Sequence, residues 1–146
     1  MSRETIHFFS EDSPFRLKGK TKVRQWLKSV AAAENYRIAE ISYIFCSDIY
    51  LLEMNRSYLD HDTFTDIITF EHTSEQDALA GDIYISVDRF RENAEKFGVS
   101  ETEEMLRVMV HGVLHLCGYK DKAPEDTVAM RNKEDVYIRL YKSQGA

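Results

Sequence analysis

Apolar residues along this chain alternate between two spacings, and the switches between them mark out its elements. IHFFS (6–10) is a short apolar run suited to a strand. Val23, Trp26, Leu27 and Val30 recur at helical spacing within 19–34, with lysines and arginines between them. RIAEISYIFCS (37–47) sets Ile38, Glu40 and Ser42 against Ala39, Ile41 and Tyr43, a strand whose one-sided polarity predicts an outer position. Asp48 is the expected cap of a helix through IYLLEMNRSYL. TDIITFEH (65–72) and GDIYISV (81–87) are β-rich and separated by the polar TSEQDALA, a spacing that predicts adjacent antiparallel strands.

The second half is helical. A helix is expected from Asp88 to about Phe97, ended by Gly98. Ser100 and Glu103 have capping-box spacing ahead of a helix running through MLRVMVHGVLHLC and stopping at Gly118. Pro124 opens a last helix, with Val128, Tyr137, Ile138 and Tyr141 as its packed side. This is an α+β layout, a small mixed β-sheet packed with helices. No repeat or Pro/Gly-rich linker divides it, so residues 1–146 are expected to form one domain.

Composition narrows the function classes. No apolar run approaches the roughly 18–20 residues needed to span a bilayer, and the N-terminus has no apolar core of signal-peptide length. A cytoplasmic protein with no membrane partner is expected. A net charge of −6 argues against indiscriminate binding to nucleic acid, and no DNA partner is expected. The run Arg16, Lys18, Lys20, Lys22, Arg24 and Lys28 has no acid among it; it is either a solvated helix face or a local phosphate contact. Cys46 and Cys117 form no CxxC pair, and Cys117 reads as a packing residue.

The chemistry concentrates in HGVLHLCGYKD, residues 111–121. Positions i and i+4 of a helix share one face, so His111 and His115 can aim both imidazoles at a single ion. Gly118 lets the chain leave the helix and turn back, delivering Asp121 as a third ligand. Three protein ligands suit a catalytic zinc site that keeps one position open, although the same set could hold another transition metal. Zinc peptidases with H-E-x-x-H carry a glutamate general base where this chain has Gly112, so the pattern indicates a metal hydrolase and not a protease.

These residues resemble the YbeY family of bacterial endoribonucleases, whose signature is H-G-x-L-H-L-x-G-Y-D-H. Two further blocks match: FTDIITFE (64–71) against the family's P-T-D-V-L-S-F-P, and Gly81, Asp82 and Ile83 against G-D-I. The resemblance implies a metzincin-like zinc-hydrolase architecture with one Zn2+ per chain. It also implies cleavage of single-stranded RNA, with a role at the small ribosomal subunit in ribosomal RNA processing, 3′-end maturation and ribosome quality control.

There are two departures. Asp121 stands where the family has its third histidine, with Lys120 before it, and Leu59 stands where the family carries an arginine. Arg56, three residues earlier on the same helix, and Lys120 are therefore the candidate catalytic cations, since phosphoester cleavage gathers negative charge. Asp66 and Asp82 are candidates to orient the histidines, or simply end their turns. The competing reading is a non-catalytic RNA-binding assembly factor with a structural metal.

Overall fold

The computed structural model describes residues 5–59, 65–72 and 75–144. In chain order the elements are β1 (Ile6–Ser10), α1 (Lys20–Ala33), β2 (Arg37–Cys46), α2 (Asp48–Leu59), β3 (Ile67–Glu71), β4 (Ala78–Ser86), α3 (Val87–Phe97), α4 (Glu101–Leu116) and α5 (Pro124–Ser143). The four strands form one mixed sheet in the order β1-β2-β4-β3. β1 and β4 both run parallel to β2, and β3 pairs antiparallel with β4, as the short spacing between the two β-rich runs predicts.

β2 is not an outer strand. It lies between β1 and β4, and its polar positions have a different cause. Side chains alternate across a strand. Ile41, Tyr43 and Phe45 enter the main core, while Glu40 turns to the opposite face and pairs with His7 of β1. The polarity of β2 reports a sheet face that is covered over only part of its area.

That main core lies between the sheet and α1, α3, α4 and α5, and holds Trp26, Leu27, Phe90, Met109, Val113 and Leu114. Its buried polar groups are satisfied: Trp26 Nε1 donates to the Tyr137 carbonyl at 2.7 Å, and the Tyr43 hydroxyl to the Met109 carbonyl at 2.9 Å. Burying each large apolar side chain contributes about 1.5–3 kcal/mol. A smaller cluster of Cys46, Leu51 and Ile68 lies under α2 on the other face.

The helix ends differ from expectation in detail. Ser47, not Asp48, caps α2, because its hydroxyl accepts from the Tyr50 N–H at 3.1 Å while Asp48 is itself helical. The Asp48 carboxylate instead receives Arg89 Nε at 3.1 Å. Ser86 caps α3, which starts at Val87, one residue before the expected start. Ser100 accepts from the Glu103 N–H at 3.0 Å, whereas the Glu103 carboxylate binds Lys142 at 2.6 Å. On α5, Tyr137 and Ile138 are buried and Tyr141 is half-buried, but Val128 is 60% exposed. The stripe that faces α4 starts at Met130 and returns at Glu134, Tyr137 and Ile138, and Val128 falls about 200° from Met130 around the helix.

Candidate metal centre

The C-terminal half of α4 is buried on most sides, and this fixes where its histidines point. Val110, Val113 and Leu114 are fully buried, and Gly112 lies against the sheet. A Cβ at Gly112 would sit 2.9 Å from Ile83 Cδ1 and 3.2 Å from Ile67 Cδ1. The position where zinc peptidases carry their glutamate is thus a packing position here. His111 and His115 occupy the remaining face, half-buried, with ring centroids 4.5 Å apart.

Gly118 then turns the chain back at φ 104°, with its N–H on the His115 carbonyl and the Tyr119 N–H on Leu114, both at 3.0 Å. Only glycine adopts that φ without strain. The turn brings Asp121 Oδ2 to 3.6 Å from His111 Nε2. One ligand atom each of His111, His115 and Asp121 lies within 4.8 Å of the others, a spacing that could hold one metal ion.

The outer nitrogens of both rings are engaged. His111 Nδ1 lies 2.6 Å from Glu134 Oε2 on α5, and His115 Nδ1 lies 3.0 Å from the Tyr119 carbonyl. Each Nδ1 therefore carries the proton, which leaves the Nε2 lone pairs for an ion. Two imidazoles and a carboxylate make a donor set that suits zinc or a similar divalent metal. Burial would lower the His111 pKa, but the Glu134 hydrogen bond and charge outweigh it and the pKa is raised. His115 moves the other way, lowered by burial and by the neighbouring His111.

Glu134 is 5% exposed and also receives Arg107 at 3.1 Å. It was not singled out in the sequence, although a carboxylate within the apolar stripe of α5 was the signal for it. The turn has its own brace: the Tyr119 hydroxyl donates to Glu34 at 2.8 Å, and Tyr137 and Lys133 converge on the same carboxylate. Burial would raise the Glu34 pKa, but these three partners hold it below the ordinary value. Asp121 itself is exposed, and among the described residues its hydrogen bond comes from the Thr127 hydroxyl, at 3.2 Å.

The other sequence candidates separate. Lys120 lines a groove with His115, Tyr119, Asp121 and Lys122. Lys122, not anticipated, also lines the neighbouring groove between α2, β3 and His115. Asn55 and Leu59 wall that second groove, whereas Arg56, about 100° round α2 from Asn55, does not line either one. Asp66 shares a cavity wall with His111, and burial pushes its carboxyl pKa up. Asp82 does not orient a cluster histidine. Gly81 and Ile83 face α4, so Asp82 points to the opposite side of the sheet and pairs with His72 at 3.0 Å.

The basic run does not line these grooves either. Arg24 Nε donates to the Ile6 carbonyl at 2.9 Å, Lys22 lies 4.1 Å from the Tyr141 ring centroid, and Arg16 binds the Phe15 carbonyl at 2.8 Å. Among the described residues no helix is long and apolar enough to cross a membrane.

The family profile described as Endoribonuclease YbeY matches residues 6–142. The chain belongs to the YbeY family. Endoribonuclease YbeY of Cytophaga hutchinsonii is 48% identical over 142 residues, covering 97% of this chain and 99% of the relative. The protein of the same name from Flavobacterium psychrophilum is 50% identical over 133 residues, 91% of this chain and 94% of the relative. The solution structure of TM1509 from Thermotoga maritima superposes with a TM-score of 0.65 at 25% identity, covering 93% of this chain and 88% of that one. The YbeY match therefore spans every element from β1 to α5, well beyond the histidine motif.

Proposed function

We propose that this chain is a zinc-dependent endoribonuclease of single-stranded RNA, acting in ribosomal RNA 3′-end maturation and ribosome quality control at the small subunit. The observation that carries this reading is the His111, His115 and Asp121 triangle with both Nδ1 atoms engaged, in a chain of the YbeY family. His111, His115 and Asp121 would hold the metal. When bound, zinc would supply Lewis-acid chemistry at a phosphate.

The chain's own residues do the rest. Glu134 keeps the proton on His111 Nδ1, and the Tyr119 carbonyl keeps it on His115 Nδ1. Lys120 and Lys122 bind phosphate along the grooves that meet at His115, and Lys120 stabilises charge gathering near Asp121. Arg56 acts from outside the groove wall as a backbone-phosphate contact. Leu59 in that wall is the feature that favours the competing reading of a non-cleaving RNA-binding factor.

Cleavage of a panel of single- and double-stranded RNAs, with and without a chelator, tests the proposal. Metal-dependent cutting confined to single strands supports it. RNA binding without cutting in the metal-loaded protein would replace it with the assembly-factor reading.

A further inference from the structure

Behind His111 a cavity of about 210 Å³ opens between α3, α4 and α5, with His111 and Asp121 in its wall. Part of its charged lining is committed elsewhere: Arg107 bridges Glu134 and Asp135, and Glu134 holds His111. Glu104 is different. It lines the same cavity and is 6% exposed, yet no hydrogen bond or ion pair reaches its carboxylate among the described residues. Arg107 and Arg131 act on it only through their charge. No buried side-chain oxygen lacks a partner among the described residues, so the Glu104 carboxylate opens onto the cavity, where a ligand that brings N–H groups can reach it.

Metal is not the ligand this carboxylate suits. Among the described residues, the donor set with metal-binding spacing is His111, His115 and Asp121, without Glu104. Phe97, which also lines the cavity, is 52% exposed at the end of α3; Lys96 lies 5.5 Å from its ring centroid, and the exposed part of the ring offers a stacking surface. Arg131, also in the lining, has a half-exposed guanidinium 3.9 Å from Glu134, too long for a hydrogen bond.

We propose that this cavity is a nucleobase subsite selective for guanine, placing that base beside the metal centre. Guanine presents adjacent N1–H and N2–H donors along one edge, which a single carboxylate accepts together. Its O6 and N7 are acceptors for an arginine. Adenine and cytosine would turn a ring-nitrogen lone pair toward Glu104, and uracil offers one N–H between two carbonyls. Glu104 would accept the paired donors, Arg131 would donate to the far edge, and Phe97 would stack on the ring. The inference rests on the reading of the chain as an enzyme acting on RNA.

Binding of guanosine, adenosine, cytidine and uridine to the as-purified protein, followed by NMR, tests the subsite without any cleavage. Guanosine should bind at least about tenfold more tightly than the others, the discrimination expected of one bidentate contact. Glu104→Gln should abolish the preference. Phe97→Ala, at an exposed position that does not threaten folding, should weaken all four nucleosides and keep their order. Equal binding of the four, or a guanosine preference that survives Glu104→Gln, overturns the subsite.

Mapping of cut sites on RNAs varied at one position forms the second arm. A fixed guanine next to the cut, lost in Glu104→Gln, supports the subsite. Cleavage indifferent to guanine overturns it and leaves the endoribonuclease reading standing. Guanosine selectivity without any RNA cleavage does the reverse.

Discussion

His111 and Asp121 converge on the same point from opposite kinds of surroundings. His111 sits on a helix packed into the core, with Nδ1 held by a carboxylate that is 5% exposed. Asp121 sits on an exposed turn and is held by one hydroxyl. The helix half of the centre is therefore pre-set by packing. The turn half depends on Gly118 and on the hydrogen bonds that anchor Tyr119. Asp121, which stands where the family's signature has its third histidine, falls on the loosely held half.

Losing a ligand outright should have the largest effect. His111→Ala and Asp121→Ala should both lose most bound metal, measured by metal analysis of the purified proteins. Asp121→His should retain it, because imidazole serves the same position. Retention of full metal content by Asp121→Ala would remove the turn from the centre.

Next comes Glu134, the partner of the well-held half. Glu134→Gln should weaken zinc affinity about 10–100-fold, the usual consequence of altering a group that orients a ligating histidine. An unchanged zinc titration would show that helix packing alone orients His111.

A third effect concerns the brace of the turn. The folded Glu34 pKa is lowered, so its stabilisation is present above the ordinary carboxylate range and is lost as pH falls through the lowered folded value. Glu34→Gln should cost about 1.5–3 kcal/mol of stability at neutral pH, as loss of charge-assisted hydrogen bonds does, with the gap to wild type narrowing in acid. Denaturant unfolding at several pH values checks this; a gap constant with pH would take the ionised carboxylate out of the account.

How much of this was legible in the sequence follows from what each pattern encodes. Periodicity reports which face of an element is buried. It placed the four strands and five helices found among the described residues, and the i, i+4 histidines with Gly118 and Asp121 placed the cluster. Periodicity does not report what covers a sheet face, which is why β2 read as an outer strand. Nor does it give the phase of a long helix from a few apolar positions, hence Val128. Glu134 and Glu34 escaped because they act across 23 and 85 residues of chain, on His111 and Tyr119, through contacts that only tertiary packing creates. Spacing along α2 put Arg56 one turn from Leu59, but the groove is walled by Asn55 and Leu59, so proximity along a helix did not become a shared surface.

The smallest predicted effect lies at Gly112, where α4 lies close to the sheet. Gly112→Ala would press a methyl group against the ends of Ile83 and Ile67. Their flexible tips can yield, so the cost should be about 1–3 kcal/mol in thermal or denaturant unfolding, with metal content retained. Loss of metal at intact stability would mean that Gly112 serves the centre directly.

Together the two unlike halves would make a metal-dependent ribonuclease centre. Its most direct test is to strip the protein of metal, restore one equivalent of zinc, and follow cleavage of a single-stranded RNA by the wild type and Asp121→Ala side by side. Zinc should restore cutting to the wild type and not to Asp121→Ala. Equal cleavage by the metal-free and zinc-loaded wild type would contradict it.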